Sequence, residues 1–175
     1  MTEAARPDRS SGPAPRPTVK GYWSLALLRI GIGLLWIQNA NWKFPPFAGL
    51  RGYTGAAVEH PVFPPFSWLV EHVILVNFTP FAYGVMLLEM ALGGFLLVGL
   101  ATRWWALLGI AQTVAIALSV LNVPHEWHWS YLLMLLAHIV ILGTAAGRYA
   151  GLDGVLRPSW QSSSSRFARV LVRAS

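Results

Sequence analysis

The sequence contains no cysteine. That absence removes disulfides, thiol relays, Cys-ligated zinc and iron–sulfur clusters as ways to hold the chain or run its chemistry. Charge is nearly as scarce. Of the 175 residues, 11% are Asp, Glu, Lys or Arg, whereas a soluble domain carries about 25%. Hydrophobic residues make up 55%, and the length suits one compact bundle without an added soluble domain. The net charge of +6 raises nucleic acid as a partner, but the placement of the cations argues against it.

What is abundant is long apolar sequence. Residues 22–41, 79–101, 104–123 and 127–146 each run for about 20 residues or more, enough to cross a ~30 Å hydrocarbon core as helices. The expectation is an all-α integral membrane protein: a four-transmembrane-helix bundle over residues 21–157, with residues 42–78 as an external loop. The cations orient it. Arg6, Arg9, Arg16, Lys20, Arg103, Arg148, Arg157, Arg166, Arg169 and Arg173 fall on one side of such a bundle, and only Lys43 and Arg51 on the other. By the positive-inside rule both termini are cytoplasmic, and the basic face meets anionic lipid headgroups, not nucleic acid. Residues 66–78 are apolar but too short to span, carry Glu71 and His72, and are bracketed by Pro64, Pro65 and Pro80. They read as an external interfacial helix. A fifth span there is the alternative, and it would move the C-terminal arginines outside.

The tails read differently. Residues 1–20 are rich in Pro, Arg and Ser and are expected to be disordered, without the pattern of a cleavable signal. Residues 158–175 form a basic cytoplasmic tail, with a serine linker at 162–165. Beyond it Arg166, Arg169 and Arg173 share one helical face, while Phe167, Val170 and Leu171 fall on another.

Each spanning segment holds one awkward polar residue: Arg29, Glu89, Gln112 and His138. A charge in hydrocarbon costs at least ~2.5 kcal/mol, so it is normally paired. Counted from the inner ends, Arg29 lies roughly 10 Å deep, Gln112 and His138 roughly 12 Å, and Glu89 nearer 18 Å. Side-chain reach predicts an Arg29–Glu89 pair. Two readings stay open at this point: an interhelical bridge that only specifies packing, or proton carriers, Glu89 and His138, beside a quinone. A single intramembrane His supplies no bis-His haem. On the external side His60, His72, His125 and His128 allow a His-x-x-His metal pair, but no carboxylate spacing fixes a geometry, and interfacial histidines among a tryptophan belt are the favoured alternative.

Several motifs occur in order. Leu28-Arg29-x-x-x-Gly33-Leu34-Leu35 leads to Asn41-Trp42-Lys43. Glu89-x-x-x-Gly93 leads to Gly99-Leu100-x-Thr102-Arg103, and Gly147-Arg148-Tyr149-x-x-Leu152-Asp153 follows the last span. Together they resemble the DoxX/DoxD family of membrane proteins over residues 22–157. The resemblance implies a four-helix bundle in the bacterial cytoplasmic membrane. Through the DoxD branch it implies the large membrane subunit of thiosulfate:quinone oxidoreductase. On that expectation quinone is the substrate, with no haem and no iron–sulfur cluster, and partner subunits complete the complex. Glu89, His138 and Arg29 are the catalytic candidates, with Gln112 and Trp36 beside the quinone. Lys43 and Arg51 are the external cations for a thiosulfate dianion. A non-catalytic anchor or assembly subunit is the alternative.

Overall fold

The computed structural model describes residues 19–175. The expected disordered tail therefore lies outside the described residues, except that Val19 and Lys20 already belong to the first helix. Among the described residues there are eight α-helices and no strand. The four long ones are α1 (Val19–Ala40), α4 (Phe78–Val98), α5 (Thr102–Val120) and α6 (His128–Thr144). They match the expected spans to within three residues at each end. Of these, α4 and α5 are long and apolar enough to cross a membrane, while α6 is apolar but only 17 residues long. α1 interrupts its apolar run with Arg29, Gln38 and Asn39.

The long helices form two tight pairs, α1 with α4 and α5 with α6. Glycine lets the first pair close. A Cβ on Gly33 would stand 3.0 Å from the Gly93 carbonyl oxygen, and one on Gly93 would stand 2.9 Å from that of Gly33, so backbone meets backbone there. In the second pair a Cβ on Gly109 would occupy the space of the His138 ring. Between the pairs, Ile32, Trp36, Leu92, Leu96, Ala106, Ile141 and Ala146 make the core.

At one end the chain is knotted together. Gly99 ends α4 in the left-handed region at φ 69°, its N–H and that of Leu100 returning to the Phe95 carbonyl at 2.9 and 3.1 Å. Asp153, fully buried, accepts the N–H groups of Ala101 and Thr102 at 2.7 and 2.9 Å, capping α5 from a distant part of the sequence. Its own N–H donates to the Gly99 carbonyl at 2.8 Å. Asp153 opens α7 (Leu152–Gln161), and α8 (Arg166–Ala174) folds back against α7. The C-terminal tail is thus helical on both sides of its serine linker.

At the opposite end the loop 42–78 is mostly helix. α2 (Ala48–Glu59) was not foreseen, because Gly49, Gly52 and Gly55 weaken its local preference. It forms by packing on α5, burying Leu50, Thr54 and Ala57. α3 (Pro64–Leu69) begins on two prolines and runs on through a π turn, Val70–Ile74. This is the short helix expected at 66–78, now part of a lid.

Asp153→Ala strips both caps from α5 and should destabilise the fold by about 2 kcal/mol. A melting curve checks this; an unchanged midpoint would show that the knot contributes nothing.

Candidate functional site

Glu89 faces inward halfway along α4 and is fully buried. A carboxylate there needs donors on both oxygens. One oxygen accepts Nε2 of Gln112 from α5 at 3.1 Å. The other meets the ammonium of Lys43 in a short ion pair. Lys43 lies just past α1, where its N–H returns to the Ala40 carbonyl at 3.0 Å and turns the side chain back into the bundle. Its ammonium also stands 5.0 Å from the Trp42 ring. Burial pushes the Lys43 ammonium down from its ordinary value, and the hydrogen bond and charge of Glu89 act against that shift.

The expected Arg29–Glu89 pair is not present. Arg29 lies toward the knotted end, where its guanidinium donates to the carbonyls of Leu96, Leu97 (2.7 Å) and Ala150 (3.0 Å). It closes the C-terminal end of α4, a favourable place for a cation. The reason is depth. Glu89 sits about ten residues above Gly99, beyond the reach of Arg29 but within that of Lys43 at the other end.

His138 is also fully buried. Its Nε2 accepts the Trp36 indole N–H at 2.9 Å, and its Nδ1 lies 2.7 Å from the Met134 carbonyl. A donor facing Nε2 and a carbonyl acceptor facing Nδ1 assign the neutral tautomer with the proton on Nδ1. A second proton on Nε2 would face the indole N–H. His138 is therefore held as an orienting group for Trp36, and that network leaves it no free lone pair for carrying protons.

The Lys43–Glu89–Gln112 cluster and Trp36 line a cavity of about 720 Å³ between the two helix pairs. α2 and α3 roof it through Tyr53, Thr54, Phe66 and Val70, and α6 adds Ser130, Tyr131 and Met134. At its mouth the Tyr131 hydroxyl donates to Glu126 at 2.6 Å. The walls are mainly apolar with a few convergent polar groups, the usual make-up of a small-molecule site.

Of the seven residues singled out in the sequence, Glu89, Gln112, Trp36 and Lys43 line this cavity, while Arg29, His138 and Arg51 do not. Arg51 is exposed and lies over the Phe78 ring at 5.0 Å. It does not join Lys43, whose charge is already engaged by Glu89. The Tyr131–Glu126 pair was missed, although Tyr131 shares the helical stripe of His138. Among the described residues no group of three His, Asp or Glu is placed to hold a metal. His72 stacks on Trp68, and His128 bonds the Leu121 carbonyl at 2.6 Å.

No protein-family model, curated protein or solved structure matches the chain. None of these comparisons identifies the DoxX/DoxD family. Two of the sequence motifs, 99–103 and 147–153, meet in the knot around Asp153, and Glu89 and Lys43 from two others meet in the cavity.

Lys43→Met alone leaves Glu89 buried without its cation and should destabilise the protein by about 3–5 kcal/mol. Adding Glu89→Leu should recover part of that loss. A double-mutant melting cycle measures it; additive losses would mean the two residues are uncoupled.

Proposed function

We propose that the chain is a four-span bacterial plasma-membrane protein whose cavity binds a quinone, as the membrane subunit of a quinone-linked oxidoreductase. The membrane reading is supported by α4 and α5 together with the exposed apolar faces of the long helices. Leu27, Leu34, Leu87, Leu107, Leu132 and Ile139 all point outward. An apolar surface that extensive needs lipid or protein to cover it. The cation asymmetry puts the knotted end in the cytoplasm and the α2–α3 lid outside.

The observation that carries the quinone reading is the buried Lys43–Glu89–Gln112 cluster inside a cavity whose walls are mainly apolar. A flat ring with carbonyl oxygens needs apolar walls and hydrogen-bond donors, and Lys43 and Gln112 are donors. As the ring takes up two electrons, negative charge grows on its oxygens. The Lys43 ammonium is placed to neutralise that charge and yield a proton, with Glu89 as the partner that passes on the next. His138 acts through Trp36. Thiosulfate, the donor implied by the family resemblance, would deliver its electrons from the lid side or through a partner subunit.

The second reading is a membrane anchor, and the observation favouring it is the outer face of α8. Phe167 and Val170 are exposed beside Arg166, Arg169 and Arg173, a surface suited to an anionic leaflet or a partner subunit.

Two experiments test the proposal. Because the chain lacks cysteine, Gly52→Cys and Ser164→Cys report sidedness directly. In intact cells an impermeant thiol reagent should label the first and spare the second, and the opposite pattern would reverse the orientation. Purified protein should bind a soluble benzoquinone, and Lys43→Ala should weaken that binding at least about tenfold through loss of a charged hydrogen bond. Stable protein without quinone binding would leave the anchor reading.

A further inference from the structure

A second recess lies on the outer side of the α5–α6 pair. It is a groove of about 490 Å³ walled by Val114 and Ala117 of α5 with Leu121 just past its end, by Leu132 and Leu135 of α6, and by Val62 of the lid connection. Its lining is almost wholly apolar. The groove is pinned at the lid end, where Asn122 donates to the Pro61 carbonyl at 2.7 Å and His128 holds the Leu121 carbonyl. Away from those bonds its walls are outward-facing apolar side chains, with Val114 and Leu132 exposed.

Two residues line both this groove and the central cavity, Thr113 and Tyr131. On α5 the cavity face (Gln112, Ile116, Ser119) and the groove face (Val114, Ala117) meet at Thr113. On α6 the corresponding seam is Tyr131. These two side chains stand on the boundary of both spaces. Thr113 is small, and its hydroxyl is turned onto its own helix, donating to Gly109 at 2.7 Å. Tyr131 is anchored at its tip by Glu126. Ala117, which lines the groove one turn further along α5, is small as well.

We propose that the α5–α6 groove takes the aliphatic tail of the molecule whose ring occupies the cavity, the tail leaving the bundle across the Thr113–Tyr131 seam. This rests on the quinone reading and narrows its substrate class to quinones bearing a long isoprenoid chain. A ring held by Lys43 and Gln112 sits deep among the helices, and its tail must reach lipid by some route. The groove offers an apolar surface that borders the ring site at Thr113 and Tyr131 and is open to the outside of the bundle. A phospholipid acyl chain or a second copy of this chain lying in the groove would have no link to the cavity, and that difference is what the test reads.

The test compares one benzoquinone ring in two forms, tail-free and carrying several isoprenoid units, bound to purified protein in nanodiscs. Affinities are expressed as the ratio of variant to wild type, which cancels partitioning of the tail into lipid. Ala117→Trp fills the groove without touching the cavity. It should weaken binding of the tailed quinone at least about tenfold, the equivalent of two or so buried methylenes, and leave the tail-free ring unchanged. Leu132→Ala, which removes a groove wall without adding bulk, should weaken only the tailed form, by roughly threefold. If Ala117→Trp also loses the tail-free ring, its fold is disturbed and Leu132→Ala decides. Wild-type binding of both quinones with no selective loss in Leu132→Ala would overturn the groove and leave the cavity reading intact. A wild type that binds neither form would overturn the cavity reading and this inference with it.

Discussion

A buried carboxylate must be neutralised where it stands, and Glu89 is neutralised by a cation drawn from outside the helix that carries it. Lys43 reaches Glu89 only because the chain turns inward directly after α1. That turn sets where the rest of the segment runs. α2 and α3 are brought over the gap between the two helix pairs, and the gap is left roofed and unfilled. The ion pair fixes where the lid connection begins, packing on α5 holds α2 in place, and the lid roofs the cavity. Breaking such a pair on one side strands a charge in an apolar surround, a penalty of several kcal/mol, so the lid connection has little freedom to lie elsewhere.

The two ends of the bundle solve opposite problems. At the α7 end, helix termini are satisfied tightly. Arg29 closes the carbonyl end of α4, Asp153 closes the amide end of α5, and Gly99 lets the chain pass between them. The pairs are clamped together there. At the lid end polar groups face a space. Lys43, Glu89, Gln112, Tyr131 and Glu126 are satisfied by one another, yet they remain on the cavity wall. A rigid base beneath an open chamber suits binding, because the polar groups that meet a ligand are held before it arrives.

Much of this was legible in the sequence, and the limits have physical causes. The four long helices follow from apolar length, and their ends fall close to expectation because Gly99, Thr102 and the 145–148 turn are local signals. The inward placement of Arg29, Glu89 and His138 followed from the cost of exposing them in hydrocarbon, and all three are fully buried. Their pairing was misread. Partner choice depends on how far one helix slides along another, and single-sequence periodicity carries no such information. The estimated depth of Glu89, well above Arg29, was the signal that pointed to the other end. Lys43, one of only two cations on that side, was the group to join to it. The chemistry of His138 allows a proton carrier as readily as a packing group, and the sequence alone leaves both open. The Trp36 and Met134 bonds that fix its tautomer are tertiary facts. α2 was hidden by its three glycines, and it owes its helix to packing on α5.

The central claim is that a quinone ring sits against Lys43 and Glu89 between the helix pairs. Photolabelling with a quinone carrying a photoreactive group on its ring, followed by mass spectrometry of the labelled peptides, tests it most directly. The account requires adducts on cavity-lining residues such as Trp36, Lys43 and Met134, suppressed by excess unlabelled quinone. Adducts confined to the outward faces of the helices, or labelling that excess quinone does not reduce, would contradict it.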